Sequence, residues 1–216
     1  MIFRSHTAWL IPVAVTLLNF GLGNVRVAAQ TIYPFKAVYN TEITNRPLAP
    51  NLFESTDIGE SDDAPYGLTN LTNLTYAEFD PNNSLFRFDS DPAVLGLENL
   101  PTGTFTLFGS GSDKVSGTIN GTAKLDFENF VGTGSSTVTI TGGSGRFSGA
   151  TGILNLLENN TFTPDPTAPI KSQFAISGSF QTPQKVPEPR TNTTLIIGAI
   201  GIGFVLRRRR SHCAQV

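Results

Sequence analysis

The sequence predicts an all-β fold, a single antiparallel β-barrel or sandwich. Three observations carry this. Short runs of alternating apolar and polar residues recur at roughly ten-residue spacing through the middle of the chain, the interval expected of sandwich and barrel strands. Clusters of Gly, Asn, Asp and Pro separate the runs, and these residues favour turns for distinct backbone reasons. Between the two ends no stretch reads as a soluble helix of ordinary length. The aromatic core residue is Phe, 16 in the chain of 216, against a single Trp.

Residues 1–29 read as a signal peptide. Arg4 supplies a positive start, residues 9–22 are mostly apolar, and Val27-Ala28-Ala29 places small residues at a cleavage site between Ala29 and Gln30. Residues 30–185 are then the β-domain. A strand is expected over 31–43, interrupted near Pro34. Residues 45–73 hold Pro47, Pro50, Pro65 and Gly67 among Glu54, Asp57, Glu60, Asp62 and Asp63, so breakers and charge predict a long exposed loop.

Residues 74–79 and 85–88 flank the turn signal Asp80-Pro81-Asn82-Asn83 and predict a hairpin. Alternation resumes over 103–108, 114–124 and 124–131. Gly132-Thr133-Gly134-Ser135 reads as a turn. Residues 136–141 form a clear strand with Val138 and Ile140 on one face, followed by a tight turn at 142–145. Residues 153–157 form another run. The last strand, 173–181, puts Phe174, Ile176 and Phe180 on one face.

Residues 186–216 are a different kind of segment. Pro187-Glu188-Pro189 precedes a polar spacer, then an uncharged apolar run from Leu195 to Leu206, then Arg207, Arg208, Arg209 and Arg210. The run, extended to about 194–206, is short for a membrane helix, but thinning or snorkelling can accommodate a short span. The arginines would hold the chain end on the cytoplasmic side. This order resembles the PEP-CTERM sorting signal of Gram-negative bacteria. The resemblance implies a membrane sorting protease of the exosortase kind as partner and a transient anchor in the inner membrane. Release to the cell surface or the extracellular polysaccharide would follow.

Trimming at both ends would restrict the available chemistry. The two histidines, His6 and His212, and the one cysteine, Cys213, all lie outside 30–185. Triads built on an imidazole base, thiol chemistry, disulfides and ordinary zinc sites are therefore excluded from the β-domain. Carboxylates, Tyr, Lys, Arg and hydroxyls remain. Eight basic side chains against sixteen acidic ones leave residues 30–185 at −8, which suits solubility and disfavours nucleic acid.

Residues 139–152, TITGGSGRFSGATG, space Gly142, Gly145 and Gly149 like a phosphate loop, but no helix or βαβ unit follows. With Gly143, Phe147, Ala150 and Gly152, the segment is similar to the GGTGxFxGAxG turn of allene oxide cyclase and dirigent-type β-barrels; Ser144 stands where that pattern has Thr. The resemblance implies an architectural turn with Phe147 in the core. The tetrapeptide at 100–103, LPTG, reads as a loop. Asn70, Asn73, Asn120 and Asn159, which begin Asn-x-Ser/Thr triplets, read as turn residues. Asp80, Asn82, Asp89 and Asp91 offer oxygen ligands for calcium in a spacing that matches no EF-hand.

No catalytic, cofactor-binding or metal-binding residue is assigned from these patterns. The sequence favours a non-enzymatic exported protein at the cell surface or in the matrix, associating with exopolysaccharide. It leaves two alternatives: an enzyme, either a barrel isomerase or cyclase or a carboxylate-based glycan hydrolase, and a calcium-dependent adhesin. Two buried acids in one cleft would favour the enzyme.

Overall fold

In a strand, successive side chains point to opposite faces, so each alternating run offers one apolar face for burial. The computed structural model describes residues 30–165 and 168–184. These residues form nine antiparallel strands: β1 (Gln30–Ala49), β2 (Leu52–Glu60), β3 (Asn70–Asp80), β4 (Leu85–Asp89), β5 (Phe105–Phe108), β6 (Lys114–Asp126), β7 (Val131–Ser144), β8 (Thr151–Thr161) and β9 (Ile170–Pro183). Their order is β2-β1-β9-β8-β7-β6-β4-β3-β5, and further pairing of β2 with β3 and of β6 with β5 closes the sheet into a ring. The all-β expectation holds, and the architecture is a closed barrel, with no α-helix among the described residues.

One position in the ring is shared. β3 and β6 do not pair with each other; β4 bridges them over residues 76–80 and 120–124, and β5 bridges them over 70–73 and 114–117. The seam between β4 and β5 is stitched by Ser90. Its N–H donates to the Ile119 carbonyl at 2.9 Å, its carbonyl accepts from Gly103 N–H at 2.7 Å, and its Oγ accepts from Ile119 N–H at 2.9 Å. Leu74 N–H donates to the Thr104 carbonyl at 3.2 Å. Gly103 fits because a Cβ there would lie 2.0 Å from the Leu74 carbonyl oxygen.

The interior has two halves. At one end, Tyr33, Tyr66, Phe147 and Phe180 form a plug, with Tyr33 stacked on Phe180 at 5.3 Å and Phe147 edge-on to Phe180 at 5.3 Å. Arg146 pins this end: it donates to Asp113 Oδ2 at 2.7 Å and to the Tyr66 carbonyl at 2.7 Å, and lies over the Phe147 ring. Phe147 is buried, Gly145 and Gly149 take φ of +62° and +72°, Gly142 and Gly143 end β7, and Gly152 lies in β8. Toward the opposite end, the inward side chains become small and polar.

Several local expectations are corrected. Residues 45–73 are not a long loop: β1 runs to Ala49, β2 follows, and β3 begins at Asn70. Pro47 sits at a register shift in β1, Pro50 lies in the tight turn, and Pro65 opens a 3₁₀ turn, Pro65–Gly67. The breakers are thus placed where missing N–H groups do little harm. β1 also passes through Pro34 without a break, since its fixed φ suits an extended strand. Gly132 and Gly134 lie inside β7; the turn is at 127–130, where the Asp126 carboxylate accepts from Glu128 and Asn129 N–H groups. Asn70, Asn73, Asn120 and Asn159 lie in strands, not turns. The hairpin of 74–79 with 85–88 is present as β3 and β4.

The seam gives a stability prediction. Gly103→Ala should destabilise the protein by about 3 kcal/mol, because backbone must move to admit the methyl. Gly111→Ala, where a Cβ would meet nothing within 4 Å, should stay within about 0.5 kcal/mol of wild type. Urea denaturation of both variants checks the difference, and equal midpoints would show that the seam is slack.

Candidate functional site

Parity brings the site together. On β8 the inward residues run Leu154, Leu156, Glu158, Asn160, all buried. On β2 they run Ser55, Asp57, Gly59, and on β3 Leu71, Asn73, Thr75. β7 contributes Gly132, Gly134 and Ser136 at the same level. These small side chains leave a cavity in the open half, about 60 Å³ of which admits the centre of a water molecule, enough for several waters. Asp57, Asn73, Ser136, Glu158 and Asn160 line it, between Phe86, Phe88, Leu156 and Phe174.

The two carboxyls are built alike. Asp57 faces Asn73 across the β2–β3 ladder, and Asn73 Nδ2 donates to Asp57 Oδ2 at 2.8 Å. Glu158 accepts a side-chain hydrogen bond from Asn160. Each asparagine thus points its amide N–H at a carboxyl, and its Oδ1 is left with no hydrogen-bond partner among the described residues, as is Ser136 Oγ. Asp57, Asn73, Glu158 and Asn160 are at most 6% exposed. Glu158 lies across β7 opposite Gly134, where a Cβ would come within 2.0 Å of Glu158 Oε1. The missing side chain is the room that this carboxyl occupies.

Burial pushes the Asp57 carboxyl up to about 6, against the opposing pull of the Asn73 bond. Burial also raises Glu158, to about 7, and the Asp57 charge adds to it. The order is physically consistent: Asp57 ionises first, and Glu158 must then ionise beside a like charge. No Lys or Arg lines the cavity.

The residues singled out from sequence fall elsewhere. Ala29, Pro187, Glu188, Pro189, the 194–206 span and Arg207–Arg210 lie outside the described residues, while Gln30 begins β1. No helix among the described residues is long and apolar enough to cross a membrane. The calcium candidates do not converge. Asp80 accepts from Asn82 N–H and Asn83 Nδ2 in the β3–β4 turn, whereas Asp89 and Asp91 accept from Asp91 and Ala93 N–H groups at the far end of β4. No group of three or more Asp, Glu, His or Cys that could hold a metal occurs among the described residues.

Sequence reasoning missed Asp57 and Glu158. For Glu158 a signal existed: extending the parity of Leu154 and Leu156 by two and four places reaches Glu158 and Asn160. For Asp57 the hydropathy pattern misleads, because neighbouring Ile58 points outward, 62% exposed. Comparison with known proteins does not name the site: no protein-family model matches the chain, and no curated protein or solved structure matches it.

Both carboxyls titrate higher in the folded protein than in the unfolded chain. Their stabilising contribution is therefore complete below about pH 4 and is lost as pH rises through about 6 and 7. Between pH 4.5 and 8, wild type should lose on the order of 3 kcal/mol more stability than Glu158→Gln, because the glutamine carries no charge to desolvate. Paired urea titrations across that range measure it; parallel curves would mean that Glu158 ionises in contact with solvent.

Proposed function

We propose that the chain is an exported β-barrel protein whose lumen binds a small molecule and moves a proton on it through Asp57 and Glu158, an isomerase or cyclase type of chemistry. The observation that supports this is the pair itself: two buried carboxyls in one cavity, each held by an asparagine amide. With Asp57 near 6 and Glu158 near 7, the pair shares one proton midway between these values, at a pH of about 6.5, which provides a base and an acid in one cavity. A substrate proton passes to the ionised carboxyl, and the protonated one returns a proton elsewhere on the same molecule. Atoms and charge balance without an oxidant or cofactor.

The other readings draw less support. A glycan hydrolase needs a groove for a polymer, whereas this cavity is walled by the ring of strands. The calcium candidates sit in two separate turns whose carboxylates are already engaged. A non-enzymatic matrix role leaves the orphaned lumen acceptors unused. The PEP-CTERM-like tail supports delivery to the cell surface or matrix of a Gram-negative cell, with exopolysaccharide as the surrounding medium and an exosortase-like protease as the processing partner.

Two experiments test the two parts. The full chain, incubated in D₂O with a small-molecule extract of its host, should yield a metabolite that gains deuterium or changes retention without other change in mass. Asp57→Asn and Glu158→Gln should each abolish this; a profile indifferent to both variants sinks the acid–base reading. The intact mass of protein from cell-surface and culture fractions should match a chain from Gln30 to near Val186, and a mass that retains the tail would remove the sorting reading.

A further inference from the structure

A chain of touching aromatic rings adjoins the lumen, and Phe86 is the member of it that lines the cavity. Phe86, in the cavity wall, contacts Phe53 at 5.8 Å and Phe79 at 4.7 Å. Phe79 contacts Phe127 at 5.9 Å, Phe127 contacts Phe162 at 5.6 Å, and Phe162 contacts Phe130 at 5.8 Å. The six rings come from β2, β3, β4 and the turns that follow β6 and β8. Phe127 is 49% exposed. An apolar collar thus adjoins a polar floor.

The floor has a definite polarity. Its hydrogen-bonding groups are the two carboxyls, the unpartnered Oδ1 atoms of Asn73 and Asn160, Ser136 Oγ, and the side chains of Asn45, Ser55 and Thr75, of which Ser55 Oγ donates to Asn45 Oδ1. The amide groups of Asn73 and Asn160 are both turned so that N–H serves a carboxyl, which leaves the oxygen buried without a partner among the described residues. The groups without a protein partner on this floor are chiefly acceptors, the donors being neutral hydroxyls and the Asn45 amide, and no cationic side chain among the described residues lines it. A buried carboxylate without a counter-charge is costly, and so is each unpaired acceptor. The complementary group is a donor-rich cation.

We propose that the lumen takes a small primary amine as its ammonium ion, with an apolar or aromatic body held in the phenylalanine collar. An ammonium has three donors and no acceptor, which matches one ionised carboxyl and the two free Oδ1 atoms. The ring faces favour a cation passing between them. A bare metal ion would match the floor, but has no apolar body for the collar to hold. An ammonium also neutralises the one negative charge of a singly protonated pair and leaves the remaining proton for transfer. This assignment rests on the lumen being the working site.

Calorimetric titration of the full chain with phenethylamine, 2-phenylethanol, 3-phenylpropanoate and calcium chloride tests it. Phenethylamine should bind at least tenfold tighter than the isosteric alcohol, and the carboxylate should not bind. Affinity for the amine should fall by about tenfold per pH unit below about 6, where Asp57 takes up its proton, while the amine itself stays charged. The titratable groups facing the cavity are Asp57 and Glu158 alone among its lining residues. Asp57→Asn should abolish binding. Gly134→Ala, which displaces the Glu158 carboxyl, should weaken it, and Phe127→Ala should weaken amine and alcohol alike.

Equal binding of alcohol and amine overturns the amine assignment while leaving the lumen site standing. Binding of calcium in place of the amine overturns it in favour of an inorganic cation, and absence of amine binding overturns it outright. The deuterium experiment needs no known ligand, so it judges the lumen reading separately.

Discussion

Closure of the sheet is the constraint on which the rest depends. A strand edge left open exposes a row of unpaired N–H and C=O groups, and only a closed ring removes every edge. Here closure has one weak place, the position between β3 and β6, which β4 and β5 must fill together. Ser90 joins the two with backbone and hydroxyl alike. Each such bond contributes only about 1 kcal/mol net, but leaving a buried partner unpaired costs more. The seam therefore matters through what its loss would strand. Closure also shields the interior from water on its flanks, and the resulting burial is what raises the two carboxyls from their ordinary values.

The interior divides its tasks along the barrel axis. The plug of Tyr33, Tyr66, Phe147 and Phe180 fills one end with aromatic contacts, each pair adding about 0.5–1.5 kcal/mol beyond burial. The open half does the opposite: three buried polar atoms have no partner among the described residues, at roughly 1–3 kcal/mol each. A barrel optimised for stability alone would fill β7 with valines at Gly134 and Ser136, as it does with Val138 and Ile140 further along the same face. The taper from large to small along that strand is what makes a cavity rather than a core.

Much of this is legible in sequence, and the failures have physical causes. The strand runs with Val138 and Ile140, or with Phe174, Ile176 and Phe180, read correctly because their inner face is apolar and their outer face polar. The segment 45–73 misread because its strands reverse that relation: Asp57 is inside and Ile58 outside. An acid turned inward and an aliphatic turned outward break the hydropathy rule that locates strands, so β2 is the strand that the pattern hides. Gly132 and Gly134 misled in a related way. Glycine signals a turn where φ must be positive, but here it signals the absence of a side chain, making room for Leu125 and Glu158. Only the pairing register separates these meanings, and register is a property of the closed sheet.

The orientation of the two asparagines sets the hydrogen-bonding character of the lumen. A carboxamide can offer either its N–H groups or its oxygen. Had Asn73 and Asn160 faced cationic neighbours, their N–H groups would line the cavity and favour an anion. Asp57 and Glu158 claim the N–H groups instead, so the same carboxylates that carry the charge also set the polarity of the neutral groups around them. Replacing either acid would do more than delete a charge: the adjacent amide loses the acceptor that holds it, and is free to turn its donor inward. The recognition properties of the floor are therefore a joint property of four side chains on β2, β3 and β8, brought to one level by the register of the closed ring.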